Sequence, residues 1–319
     1  MAGPIGNHNS AGKQPLRGTT LNGPRMGNPT RWARNSLVRR LQRGRIPTSH
    51  LRRPNHNHRD RGCRIQPDES TAKETISCSS LTVPDPKAWY VRNLFSKVPS
   101  EYDLLLALLT LGQDKHWRAR VVGRTRPEHN GGIALDVATG TGLLAGDLGQ
   151  NLGSSGLVVG VDLTLSMLQT AKARLRLRGQ GPRTDWVLAR AENLPFRDDS
   201  FQSSTISLAL RNVSDASKTI QEMARTTTHG GMVVSLDFAR PPNRIVRLFY
   251  YDYLLGIFPF LGRIVSEAWG KTLSYLGRSI LRARTGDQIA LLMDSAGLSS
   301  ATSIPLTMGI VCLVHGKKS

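Results

Sequence analysis

Gly140 and Gly142 stand between the apolar run Ile133-Ala134-Leu135-Asp136-Val137 and the helix-like start Leu143-Leu144-Ala145. A short strand carrying an acid therefore turns through Ala138-Thr139-Gly140-Thr141-Gly142 into a helix. Glycine at such a turn lets the backbone approach a ligand closely, because no Cβ intervenes. The helix N-terminus adds free N–H groups and a partial positive charge. A second apolar run, Leu157-Val158-Val159-Gly160-Val161, ends in Asp162, twenty residues after Gly142. A carboxylate there accepts hydrogen bonds from ribose hydroxyls. The pattern predicts a nucleotide-like ligand and leaves two open, a dinucleotide and S-adenosylmethionine. The dinucleotide fingerprint wants a third glycine, or an alanine, three residues after the second. Ala145 occupies that place, with Gly146 next, so the spacing alone does not decide.

The chain downstream decides. A third candidate strand, Asp185-Trp186-Val187-Leu188-Ala189, precedes Ala191-Glu192-Asn193-Leu194-Pro195-Phe196 and Asp199-Ser200-Phe201, and a fourth leads to Leu210-Arg211-Asn212-Val213. This ordered set has the layout of class I S-adenosylmethionine-dependent methyltransferases. Ala-Glu-Asn-Leu-Pro-Phe with Leu-Arg-Asn-Val-Ser-Asp resembles, more narrowly, the ubiquinone/menaquinone biosynthesis C-methyltransferase family. The resemblance runs from about Val91 to Lys318. It takes in Phe95, Tyr102-Asp103-Leu104 and Trp117-Arg118 before the glycine turn, and Phe238, Pro259, Ser274-Tyr275-Leu276, Ser279-Ile280 and Gly309-Ile310-Val311 after the central strands.

The resemblance implies S-adenosylmethionine as cofactor, held by Asp136, Ala138, Thr139, Gly140, Gly142, Asp162, Leu163, Met167, Ala191, Glu192 and Asn193. It implies C-methylation of a prenylated quinol, a demethylmenaquinol or a ubiquinol precursor. Methylation of another apolar or phenolic metabolite, and a degenerate cofactor-binding relative, stay open. A quinol carbon is a poor nucleophile until a neighbouring hydroxyl loses its proton, and free phenols titrate near pH ~10. Arg211 is expected to stabilise the phenolate and Asn212 to orient it or a water; an ion pair is the alternative for Arg211. Tyr102, with Asp103, is expected to close over the site, and Asp136 to brace the glycine turn through backbone N–H groups. His116 and His229 read as solvated, His116 on a face shared with Lys115 and Arg118. Several positions depart from the family pattern: Arg190 stands where the family has an acid that reads adenine, and Leu106, Asp114 and Arg278 also differ.

Alternating elements must position these residues. Strands near 133–137, 157–161, 184–189, 203–209 and 232–238 alternate with helices near 142–151, 164–178 and 215–228, the last introduced by Ser214 and Asp215. A helix at 286–296 and strands near 300–306 and 309–315 close the chain, the final pair too tightly joined to be parallel. The expected fold is α/β: a doubly wound, seven-stranded, mostly parallel Rossmann-like sheet with lid helices over 87–122 and a helical cap inserted at 240–283. A ligand then lies at the carboxyl ends of the strands. Gly230-Gly231 reads as punctuation before the fifth strand.

Charge is unevenly placed. The 319 residues carry a net +20, and residues 1–67 hold fourteen Lys/Arg against Asp60 alone. Residues 1–84 read as a disordered basic extension, and 85–319 as the methyltransferase domain. An unselected extension, a transit peptide and a binding arm are all open for the tail. The folded part lacks interleaved basic and aromatic motifs, so no specific nucleic acid is expected. Cys63, Cys78 and Cys312 show no paired spacing, which favours a reducing compartment. His56, His58 and Cys63 lack a fourth ligand at metal-site spacing, so no metal is expected. No stretch is expected to supply the ~18 apolar residues that cross a bilayer. Asp252 and Pro259 interrupt the longest apolar region, Leu248 to Leu261, which reads as a buried helix, as an aromatic lid or as a face resting on a membrane. The expected location is cytoplasmic, peripheral to the membrane, or the mitochondrial matrix should the tail be a transit peptide.

Overall fold

The computed structural model describes residues 85–97, 102–125, 131–177 and 183–319. The basic extension 1–84, with His56, His58, Cys63 and Cys78, lies outside the described residues.

Seven strands form one sheet: β1 Ile133–Val137, β2 Leu157–Asp162, β3 Arg183–Leu188, β4 Phe201–Ser207, β5 Thr227–Phe238, β6 Leu298–Leu306 and β7 Val311–Lys318. Their order is β3-β2-β1-β4-β5-β7-β6. The first five pair in parallel, while β7 runs antiparallel to both β5 and β6. Strand order reverses at β1, which pairs with β2 on one side and β4 on the other. In an open sheet of this kind, that reversal opens the crevice where ligands bind.

The strands bury residues of both faces, because helices cover each side. Side chains alternate across a strand, so Leu135, Val137, Val159 and Val161 join one core with Ile220, Met223 and Ile289. Ala134, Val158, Val234 and Leu236 join the other with Trp117, Leu144, Leu148 and Leu168. A third cluster, built on Tyr250, Leu254, Phe258, Trp269 and Leu273, lies in the inserted cap.

Several boundaries move from their sequence positions, each for a local reason. β4 ends at Ser207 because Leu208 adopts a φ of +53°. β5 starts at Thr227, so Gly230-Gly231 lies inside it. Thr227 pairs with Phe201 and Met232 with Ser203, and the extra residues sit in a register shift there. β7 starts at Val311, after a short 3-10 turn, Thr307–Gly309, in which Met308 has a φ of +55°.

The cap brings a larger correction. Helix Arg244–Asp252, a π-helical turn Tyr253–Ile257 and helix Phe258–Val265 follow without a break. Pro259 falls in the first turn of the last segment, and Asp252 sits mid-rod without ending it. The rod Arg244–Val265 is long and apolar enough to cross a membrane by length and composition, and only 22% of its apolar stretch is buried. Neither a chain without such a stretch nor a buried helix describes it.

Candidate active site

The site grows from the turn after β1. Ala138 takes a φ of +53°, Gly140 +55° and Gly142 +76°. The Thr139 N–H donates to the Val161 carbonyl (2.9 Å), tying the turn to β2. A Cβ on Gly142 would lie 2.8 Å from that of Ala171 and 3.0 Å from the Trp186 ring, so close packing requires this glycine. A Cβ on Gly140 would meet nothing within 4 Å, and Gly140 faces open space.

Two acids organise the turn. Asp162, at the end of β2, accepts from the Gly140 N–H (2.9 Å) through one oxygen and from the Thr164 N–H (2.8 Å) through the other. Burial raises its carboxyl above the ordinary value, against those bonds. Asp136 is 1% exposed. It accepts from the hydroxyls of Thr139 (2.6 Å) and Thr205 (2.9 Å), so it braces the turn through side chains where backbone N–H groups were expected. Burial pushes its carboxyl up to about 7.

A cavity of about 160 Å³ opens at the carboxyl ends of β1, β2 and β4. Asp136, Ala138, Thr139, Gly140, Asp162, Leu163, Met167, Ala191 and Glu192 line it, as do Tyr102 and Asn212. Gly142, Asn193 and Arg211 are not on its wall. Leu208, like Ala138, is a wall residue in the left-handed region. Strain of that kind persists only where surrounding structure imposes it, and it gathers at functional sites. Here the Leu208 N–H is fixed to the Leu236 carbonyl at 2.6 Å.

Helices before the sheet cover the cavity. Tyr102 stacks on Trp269 at 6.4 Å and meets Phe95 edge-on at 6.0 Å. Burial raises its hydroxyl pKa. Asp103 accepts from the Thr141 hydroxyl (2.5 Å) and pairs with Arg174, which fastens helix Tyr102–Leu109 to the glycine turn. Helix Pro86–Phe95 is fastened at its other side. Asp85 caps its first turn and also accepts from Arg190 (2.9 Å), whose Nε reaches Glu192 at 3.3 Å. The Ser214 hydroxyl and Arg190 hold the Asp85 carboxyl well below the usual range. Arg190, the departure at the adenine position, is therefore a latch between lid and wall.

Arg211 lies behind the wall in an ion pair with Asp237 of β5, the partner being a strand carboxylate. Its neighbour Asn212 accepts from the Tyr275 hydroxyl at 3.4 Å. Two features escaped the sequence reading. Asp114 and Arg118 are buried, line the cavity and pair with each other, with Arg118 also bound to Asp147 at 2.7 Å. Their i, i+4 spacing was the available signal, and it corrects the solvated face expected for Arg118; His116 and His229 are exposed. Tyr250 is the other: its hydroxyl is buried without a hydrogen-bond partner among the described residues. No His/Cys/Asp/Glu group that could hold a metal occurs among the described residues. Cys312 is buried, and its thiol is pushed up to about 12.

The wall chemistry discriminates between ligands. Asp114, Asp136, Asp162 and Glu192 line the cavity, and its wall cations Arg118 and Arg190 are already paired with acids. Those partners include Asp114 and Glu192, which leaves Asp136 and Asp162, both raised by burial toward the neutral form, so the wall offers a sulfonium and an ammonium acceptor oxygens and offers a pyrophosphate no unpaired cation. With the open face of Gly140 and the acid ending β2, these residues fit S-adenosylmethionine.

The sequences of known proteins agree with this fit. The ubiE/COQ5 methyltransferase family model matches residues 83–318. The ubiquinone/menaquinone biosynthesis C-methyltransferase UbiE of Hahella chejuensis is 33% identical over 250 residues, covering 78% of this chain and 100% of that protein. The demethylmenaquinone methyltransferase of Roseiflexus castenholzii is 35% identical over 243 residues, covering 76% of this chain and 99% of its own. A solved structure from Thermotoga maritima, described as a possible histamine N-methyltransferase, aligns with a TM-score of 0.49 at 18% identity over 72% of this chain and 100% of that one.

Proposed function

The chain belongs to the ubiE/COQ5 methyltransferase family, and from that premise we propose that it methylates a ring carbon of a prenylated quinol in quinone biosynthesis. The acid-lined cavity at the strand-order reversal, with Gly140 open beneath it, carries this reading.

Bound S-adenosylmethionine supplies an electrophilic methyl group on a positive sulfur. Everything else falls to the chain. Asp162 and the Gly140 backbone hold the ribose side, Ala191 and Leu163 give apolar walls for the base, and Met167 backs them. Tyr102, Phe95 and Trp269 shut water out, which keeps donor and acceptor at near-attack distance. Asn212 is the polar group presented to the acceptor hydroxyl, and the adjacent Arg211 positions it from behind the wall. Arg211 and Asp237 together carry no net charge, so they act on a phenol as a fixed dipole rather than as a lone cation. The catalytic unit runs from 85 to 319, with the first 84 residues as an appended extension. The prenylated acceptor keeps to the bilayer, so the reaction takes place at a membrane surface.

Methyl transfer from labelled S-adenosylmethionine to demethylmenaquinols and ubiquinol precursors, with simple phenols as controls, tests the reading. Label on a ring carbon of the prenylated acceptors is expected. Label on oxygen, or on the control phenols alone, overturns it.

A further inference from the structure

The rod Arg244–Val265 carries its apolar residues on the outside. Its buried positions, Tyr250, Leu254, Phe258 and Gly262, recur every four residues and pack on helix Glu267–Leu281. Contact is close along this seam. A Cβ on Gly262 would lie 2.8 Å from the Trp269 carbonyl oxygen, and one on Gly277 2.5 Å from that of Leu254. A four-residue repeat drifts by about 40° per step on a straight α-helix. The π turn Tyr253–Ile257 takes back part of that drift, so the buried positions from Tyr250 to Gly262 stay on one side of the rod. The outer face then shows Ile245, Leu248, Phe249, Leu255, Phe260 and Ile264, each at least 55% exposed.

Cations outnumber acids four to one around this face. Arg240, Arg244 and Arg247 stand at one end and Arg263 at the other, with Asp252 the single acid from 240 to 265. No carboxylate among the described residues pairs with any of these arginines.

We propose that this face docks on an anionic lipid bilayer. The rod lies flat, with its outer side chains at the headgroup–acyl boundary and its arginines on lipid phosphates. The seam holds the rod against the domain from Tyr250 to Gly262, so it rests on the membrane rather than crossing it. A second copy of the chain fits the charges less well: a two-fold contact through antiparallel rods sets the arginines of one end against those of the other. The proposal deepens the quinol reading. The seam cluster also takes in Phe95 and Tyr102, which line the cavity, so the bilayer lies one helical layer from the site.

Sedimentation of the full chain with phosphatidylglycerol/phosphatidylcholine vesicles, without cofactor or acceptor, tests it. Salt of about 0.5 M screens the basic residues of the extension and the rod's arginines alike, so the partitioning that remains is that of the apolar face. The combined substitution Phe249→Glu, Phe260→Glu and Ile264→Glu changes only exposed positions, and Leu111→Glu is the control, at an 88% exposed residue off the rod. Wild type and Leu111→Glu are expected to pellet with the vesicles, and the triple variant to lose at least about tenfold in partitioning. Equal pelleting of the triple variant, or none by wild type, overturns the proposal. So does a wild-type dimer that the three substitutions dissociate. Each of those failures leaves methyl transfer to a short-chain soluble quinol intact, which separates them from failure of the quinol reading.

Discussion

Arg211, just past the end of β4, and Asp237, next to last in β5, meet as a buried ion pair, their side chains 6% and 3% exposed. Asp237 also accepts from the backbone N–H groups of Arg211 (2.9 Å) and Phe238 (2.8 Å). The guanidinium also donates to the Leu208 carbonyl (2.6 Å) and the Ser279 hydroxyl (3.3 Å), and it lies 5.0 Å from the Phe238 ring centre. One residue thus ties the strained end of β4 to β5 and to the cap.

Removing one member of such a pair strands a buried charge, at about 3–5 kcal/mol. Arg211→Met is expected to lose about that much in urea unfolding, and Arg211→Met with Asp237→Asn, which removes the stranded charge and keeps an acceptor oxygen for the backbone N–H groups, to regain most of it. Turnover should stay at least about tenfold down in the double variant, with cofactor affinity nearly unchanged. Full return of turnover would reduce Arg211 to scaffold.

The two turn glycines should separate fold from binding. Gly142→Ala meets Ala171 and Trp186 at or below 3.0 Å in a left-handed conformation, so thermal stability is expected to fall. Gly140→Ala meets no protein atom, so it costs only the conformational term of about 1–2 kcal/mol while filling space kept for a ligand. Calorimetric titration of S-adenosylmethionine should show a larger affinity loss for Gly140→Ala than its stability loss explains. Unchanged affinity would remove Gly140 from the cofactor cradle.

Asp162→Ala removes two charge-assisted bonds, to Gly140 and Thr164, along with any bond to a ribose. Such bonds are worth about 1.5–3 kcal/mol each, so an affinity loss of about a hundredfold is expected. Asp162→Asn keeps one acceptor oxygen and should fall between wild type and Ala. An Asn variant as weak as Ala would indicate that charge, rather than loop geometry, sets the affinity.

Asp136 links stability to pH in a direction opposite to the usual acid. Burial puts its folded pKa at about 7, above the ordinary 3.8. Below about pH 4 the group is neutral in both states and its burial costs least. Between about pH 4 and 7 the unfolded chain gives up the proton while the folded one keeps it, so this contribution falls as pH rises, by about 4 kcal/mol in all. Asp136→Asn is expected to flatten the decline seen in denaturant titrations across that window. Identical slopes for both proteins would show that Asp136 does not titrate there.

β1 and β2 were legible as short apolar runs, one leading into the glycine turn and the other ending in Asp162, while the Ser- and Thr-rich β4 was placed by the Leu210-Arg211-Asn212 run after it. The cap was not. Its helices pack through a seam with a four-residue repeat and leave apolar residues outside, so hydrophobicity marked Leu248 to Leu261 without saying which side was buried. Arg211 stood out by its place after β4, but its partner stands 26 positions away on β5, no local pattern joins them, and the pair puts it behind the cavity wall. Arg190 looked like a loss at the adenine position. Its partner Asp85 lies 105 residues upstream, so the latch exists only in three dimensions.

That latch sets the last expectation. Lys87 donates to the carbonyls of Arg211 (3.1 Å) and Val213 (2.6 Å), while Asp85 holds Arg190, so the start of helix Pro86–Phe95 spans from one cavity wall to the next. Both residues are partly or fully exposed, and each bond is worth little alone. Their joint loss should free the helix that carries Ala88, Val91 and Phe95 over the cavity. Asp85→Ala with Lys87→Ala is expected to raise the cofactor dissociation rate about tenfold in stopped-flow fluorescence, with little change in melting temperature. A dissociation rate equal to wild type would mean that the helix does not gate the cavity, and that Asp103 and Arg174 hold the lid by themselves.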